Sequence, residues 1–253
     1  MEAVNRPDDP LVISVQGSMK LDQPTLAAIR SGELESEGAF ACFYATSKAL
    51  SPRAMAQDLF EAHEGFWGFD GNLQTDRLKG ELGRFQTGIP TRGRTALPVP
   101  LLVHSASQAV GQLGEYEFSG LRVQAPLSAH VIGWEAIQVL LDQFAATAEV
   151  SKLRTATARL FSASPSKKWQ TKGAEWFNKT HLEPFVASGI SSETPDIEFD
   201  GRWSLSTPET SERATFTTPE WSPSAAANMV MFMLEAARAA GIKETVIVDV
   251  QLG

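Results

Sequence analysis

The chain has 253 residues, 43% of them hydrophobic and 21% charged, with a formal net charge of −8. Ample apolar content, glycine without a period and a single cysteine exclude a collagen, a low-complexity disordered chain and a disulfide scaffold. The length fits one large domain or two small ones around a substantial core.

Residues 1–10 are polar and proline-containing, and read as a flexible lead-in to a single α+β domain over 11–253. The β-branched run Leu11–Val15 predicts a strand, and so does the apolar run Ala39–Ala45. Ser51-Pro52 is a helix start signal, and Met55, Leu59, Ala62 and Phe66 behind it keep helical spacing. Glycines and prolines scattered over 65–100 predict loops and short pieces, with a strand at Leu97–Val103. Strands are then expected at Tyr116–Ala125 and Leu153–Phe161, with an amphipathic helix over Trp134–Ala148 between them. Thr215–Thr218, the Ser222-Pro223 start signal, a helix over 224–240 stopped by Gly241, and Thr245–Leu252 form one strand, helix, strand unit.

Strand-to-helix passages at 39–66, 120–148 and 214–240 suggest weak internal repetition. The expected fold is α+β: a mixed or mainly antiparallel sheet with helices on one face, in two pseudo-symmetric βαββ-like halves at 11–115 and 116–253. Cys42, the lone cysteine in an apolar run, suggests a reducing compartment. No basic, apolar leader opens the chain and no stretch approaches 18 apolar residues, so the expectation is a cytoplasmic protein with no membrane contact.

The common chemical signatures are missing. The four histidines lack metal-ligand spacing, and there is no phosphate-cradling glycine loop, dinucleotide fingerprint or nucleophile elbow. No cofactor or metal is expected. Ser164-Pro165-Ser166-Lys167 matches Ser-x-x-Lys, but without its partner motifs it reads as a loop.

Three constellations remain. From Ser151 to His181 seven cations, among them Lys167, Lys168 and Lys172, face one acid, with Trp169 and Trp176 interleaved. Basic charge with aromatics suits single-stranded nucleic acid, here through 152–179; the plainer reading is a solvated surface anchored by two indoles. The next segment, Leu182–Glu220, holds eight acids against two arginines and can neutralise the first. Within it, Asp196-Ile-Glu198-Phe-Asp200-Gly alternates like an edge strand closed by a tight turn, with a cation-binding carboxylate face as the competing reading. The third is His63-Glu-Gly-Phe-Trp67-Gly-Phe69-Asp70, where Trp67 and Phe69 form a ligand platform beside a His63/Asp70 acid–base pair, or else close the core. His104 and His130 are further candidate bases, and Met231 sits in a methionine helix suited to a partner or to the core.

Without catalytic signatures, the reading that follows is a non-catalytic protein-binding or complex-assembly protein, such as a toxin-neutralising or assembly subunit, with another protein or a second copy as partner. A cofactor-independent hydrolase or transferase using His63, Asp70, His104 and His130 is the alternative. Single-stranded nucleic-acid binding through 152–179 is the second alternative.

Overall fold

The computed structural model describes residues 10–50, 61–69, 75–88, 99–127, 141–142, 145, 153–164 and 168–253. Eight strands form one sheet: β1 (Leu11–Leu21), β2 (Glu61–Trp67), β3 (Arg77–Gly88), β4 (Gly114–Pro126), β5 (Arg154–Ser162), β6 (Val186–Glu193), β7 (Thr210–Thr218) and β8 (Thr245–Leu252). Their order is β2-β3-β1-β4-β8-β5-β7-β6, and every neighbouring pair is antiparallel. The helices whose full range lies among the described residues are α1 (Gln23–Ser31), α2 (Gly38–Leu50), α3 (Val99–Gly111), α4 (Ala174–Lys179) and α5 (Pro223–Ala239), with a π-helical turn at Trp169–Gly173 before α4. The fold is α+β.

The order contains a repeat. β1, α1 and α2, β2, β3, α3 and β4 form a βαββαβ unit whose strands lie 2-3-1-4. β5, the π-turn with α4, β6, β7, α5 and β8 form a second unit, whose strands lie in the mirrored order 4-1-3-2. The two meet at β4 and β8, paired from Gly120↔Gln251 to Pro126↔Thr245, so the sheet is continuous across the seam. The first repeat closes at Pro126 and the second opens at Arg154.

Alternation along the strands sorts the two faces. Leu11, Ile13, Val15, Met19 and Leu21 of β1 lie in the main core with the helices, as do Leu121, Val123 and Ala125 of β4 and Val246, Val248 and Val250 of β8. Helix α5 lies centrally in the helix layer, against β4, β5, β7 and β8 and flanked by α3 and α4, so it is buried nearly all round. Phe232 meets Phe185 and Phe216 with ring centroids 5.4 and 6.0 Å apart. Among the described residues, no helix packs on the opposite face of the sheet.

Several local expectations are overturned. Ala39–Ala45 is not a strand but part of α2: a continuous apolar run carries no period of its own, and Ala39, Phe43 and Ser47 at helical spacing are the residues buried. The expected helix from Ser51 falls outside the described residues as far as position 60, after which the chain is strand β2. Here Gly65 lets α2 approach, since a Cβ at this position would stand 2.7 Å from the Phe40 amide nitrogen. The loop expected over 65–100 contains the twelve-residue strand β3. Its glycines serve the ladder instead of breaking it: Gly80, at φ 103°, sits beside the register shift opposite Val15 and Gln16. Val99 to Val103, expected as strand, opens α3, because the buried set Val99, Leu102, Val103, Ala106 and Val110 has helical spacing. The helix expected at Trp134–Ala148 lies mostly outside the described residues, although Leu141, Asp142 and Ala145 are helical.

Candidate functional site

The face on which none of the described helices packs is built in transverse rows, because antiparallel register sets one residue of each strand beside the next. The first row runs Gln86, Val12, Gln124, Ile247, Phe161 and Ser211. Its three apolar members, Val12, Ile247 and Phe161, are covered. The segment between β6 and β7 crosses it as a strap, burying Phe199, Trp203 and Leu205 against Val12, Phe161 and Ile247. Gln124 fastens the strap: its Nε2 donates to Ser204 Oγ at 3.0 Å and to the Pro10 carbonyl at 3.1 Å, and its Oε1 accepts from the Ser204 amide at 2.7 Å. The Asp196–Asp200 alternation is therefore real, with Phe199 in and the carboxylates out. Yet the segment is no edge strand, because it lies on the sheet face instead of pairing beside it.

Two residues along every strand lies the second row: Phe66, Arg84, Ser14, Arg122, Asp249, Arg159, Arg213 and Ser191. Four of its five charged positions are arginine, in a chain of net charge −8. Five strand intervals separate Arg84 from Arg213, about 24 Å at ~4.8 Å per interval. The arginines differ in what holds them. Arg122 Nη2 meets Asp249 Oδ2 at 3.3 Å, and its guanidinium lies 5.2 Å from the Phe199 ring and 5.8 Å from Trp203. Its Nε is buried without a partner among the described residues. Arg84 lies 5.2 Å from the Phe66 ring. Burial lowers its pKa from the ordinary arginine value, Glu81 opposing that and Arg202 adding to it, and it remains cationic. Arg213 Nη1 touches Glu193 at 3.4 Å. Arg159 has no ion pair or side-chain hydrogen bond among the described residues.

The third row is Glu81, Gln16, Gly120, Gln251, Thr157, Thr215 and Ser188. Apart from Glu81 it is uncharged and polar. Gln16 and Gln251 turn toward the arginine row, donating to Ser14 Oγ at 2.6 Å and Asp249 Oδ1 at 3.0 Å. The Thr157 and Thr215 hydroxyls donate to no partner among the described residues. Glu81 is tied at one end, accepting from Ser14 Oγ at 2.7 Å and from Arg202 of the strap at 3.1 Å. Arg202 also holds Asp200 through its Nε at 2.8 Å, and this hydrogen bonding pulls the Asp200 carboxyl below its usual range. The strap is thus a wall, the arginines lie at its foot, and neutral donors and acceptors lie beyond. Further along β3, β1 and β4, Ser18, Lys20, Arg77, Lys79, Glu115 and Glu117 line a shallow groove of about 560 Å³.

The residues singled out in the sequence fall elsewhere. Trp67 and Phe69 are buried core, Trp67 meeting Phe85 edge-on at 6.0 Å, so they form no exposed platform. His63 lies on β2, whereas Asp70 and His130 fall outside the described residues. His104 is exposed on α3. Trp169 is fully buried beside Phe177 and Trp176 is partly buried, so the indoles anchor the π-turn and α4. Lys168 and Lys172 are exposed, Lys167 lies outside the described residues, and Lys172 and Lys179 both bind Glu175, drawing its pKa down to about 2. Met231 is buried in the core. Of the basic stretch, Arg159 alone joins the row. The other row arginines each occupy an outward strand position, as in Leu121-Arg122-Val123, and only register reveals that they align.

Among the described residues no group of three histidines, cysteines or acids is placed to hold a metal, and no helix is long and apolar enough to cross a membrane. No protein-family profile matches the chain, and no curated protein matches it. A solved Cas6 product complex is similar at 15% identity over 91% of this chain and 93% of that one, with a TM-score of 0.20. At that score the likeness carries no conclusion.

Proposed function

We propose that this is a non-catalytic binding protein that holds an extended polyanion across the face of its sheet on which none of the described helices packs. The observation that carries the reading is the transverse row Arg84, Arg122, Arg159 and Arg213. Four guanidiniums spread over about 24 Å suit a chain of anions better than a single small one. The strap supports the same reading, because it walls the row on one side. The methionine helix, which the sequence offered to a protein partner, is internal, so the binding surface moves from the helices to the sheet.

Retention on immobilised heparin, a generic polyanion, tests this. The wild-type chain is expected to bind at about 50 mM salt and to elute as salt rises, because the contacts release counterions. Arg159→Glu combined with Arg213→Glu is expected to abolish retention, while Lys172→Glu, on the helix side, leaves it nearly unchanged. Equal retention of all three proteins would overturn the assignment to this face.

A further inference from the structure

We infer that the polyanion is a single-stranded nucleic acid whose phosphates follow the arginine row and whose bases lie over the neutral row. This rests on the polyanion reading and adds the ligand class. The argument is the juxtaposition of the two rows. A bare polyanion such as polyphosphate needs only the cations, and its recognition makes no use of a parallel line of amides and hydroxyls one step away. A nucleotide needs both, charge for its phosphate and neutral donors and acceptors for the base edge.

On β1, β4, β8, β5 and β7 the rows are two residues apart, about 7 Å, and register shifts make the step three residues on β3 and β6; this distance separates phosphate contacts from base contacts on one nucleotide. Gln16, Gln251, Thr157 and Thr215 supply both donors and acceptors, and the two threonine hydroxyls donate to no partner among the described residues. Phe66 adds an aromatic ring at the Arg84 end of the arginine row. A duplex keeps its base edges paired, so the neutral row favours a single strand, whose bases are free to reach it.

The test is fluorescence anisotropy on the full chain with a labelled 12-nucleotide uridine oligomer, a 12-base-pair duplex, and inorganic polyphosphate as competitor. The expected result is a salt-dependent Kd for the single strand, with a slope of log K against log salt of about −1.5 to −2 for the two to three phosphates neutralised by Arg84, Arg159 and the partly exposed Arg213, Arg122 being held by Asp249. The duplex is expected to bind about tenfold more weakly. Arg159→Gln is expected to lower the slope by about 0.7 and to weaken oligomer and polyphosphate alike. The isosteric pair Thr157→Val and Thr215→Val, which leaves charge and shape intact, is expected to weaken the oligomer several-fold and leave polyphosphate unchanged. If the threonine pair shifts neither ligand, or if the duplex binds as well as the single strand, the nucleic-acid inference is overturned and the polyanion reading stands. If the oligomer does not bind at 50 mM salt, the nucleic-acid inference falls, and the polyanion reading falls with it when heparin also fails to retain the chain. Unchanged circular dichroism and Tm of the variants exclude misfolding as the cause.

Discussion

Glu212 is a carboxylate on the core side of β7, the face it shares with Ala214 and Phe216, and Ser192 donates a hydrogen bond to it. Burial raises its pKa above the ordinary glutamate value, and the Ser192 hydrogen bond only partly offsets that. A folded-state pKa above the unfolded one means that stability is complete below about pH 4, where both states are protonated, and is lost as pH rises through the folded value. Glu212→Gln keeps an acceptor for Ser192 and removes the charge. Its Tm is expected to exceed the wild-type value at pH 7–8 and to converge with it near pH 4. A variant that melts lower at pH 8 would show that the carboxylate is held by a partner instead. The pattern at this scale was only half readable: Glu212 sits among alternating residues that mark β7, but nothing local tells which of them faces inward.

At the scale of elements, helix ends were more legible than the interiors of apolar runs. Asp22 caps α1 by accepting from the Thr25 amide at 2.7 Å, and Ser222 caps α5 by accepting from Ala225 at 3.1 Å, with Pro223 in the first turn. These signals are written in a few adjacent residues; the start of α5 was read from them, whereas α1 with its Asp22 cap was not read in the sequence. Ser222→Ala is expected to cost about 1 kcal/mol, read as a lower urea midpoint at unchanged m-value. Ala39–Ala45 and Val99–Val103 were misread because an apolar run fits either period, and the choice is made by what covers it. Both lie in helices packed against each other, α2 on α3. β3 was misread for the opposite reason, since its glycines look like breakers until the facing strands show them accommodating a bulge and close contacts.

Across the whole molecule, the seam between β4 and β8 joins two βαββαβ repeats into one sheet, and one core of buried residues runs under both. The repeats are therefore expected to unfold together, as a single transition by circular dichroism and tryptophan fluorescence. Phe232, fully buried in α5 of the second repeat, provides the check. Phe232→Ala is expected to cost about 3–5 kcal/mol and to lower Tm by roughly 10 °C with the transition still single. Two resolved transitions, only one of them shifted, would mean that the repeats are energetically separate. The candidate face belongs to this scale as well, because four arginines from four strands, Gly83-Arg84-Phe85 on β3 and Ala158-Arg159-Leu160 on β5 among them, become neighbours only through register.

The sequence by itself determined the α+β class, the strands at 11–15, 116–125, 153–161 and 245–252, the capped C-terminal helix and the alternation of the strap. Each of these is set by the chemistry of residues close together in the chain: β-branching, caps, period-two burial. Tertiary structure decided which apolar runs became helices, that Trp67, Trp169 and Met231 are core, and that Arg84, Arg122, Arg159 and Arg213 form one row. The reason is that burial and strand register depend on partners up to two hundred residues away, and one outward arginine in an alternating strand looks like any other until its neighbours are in place.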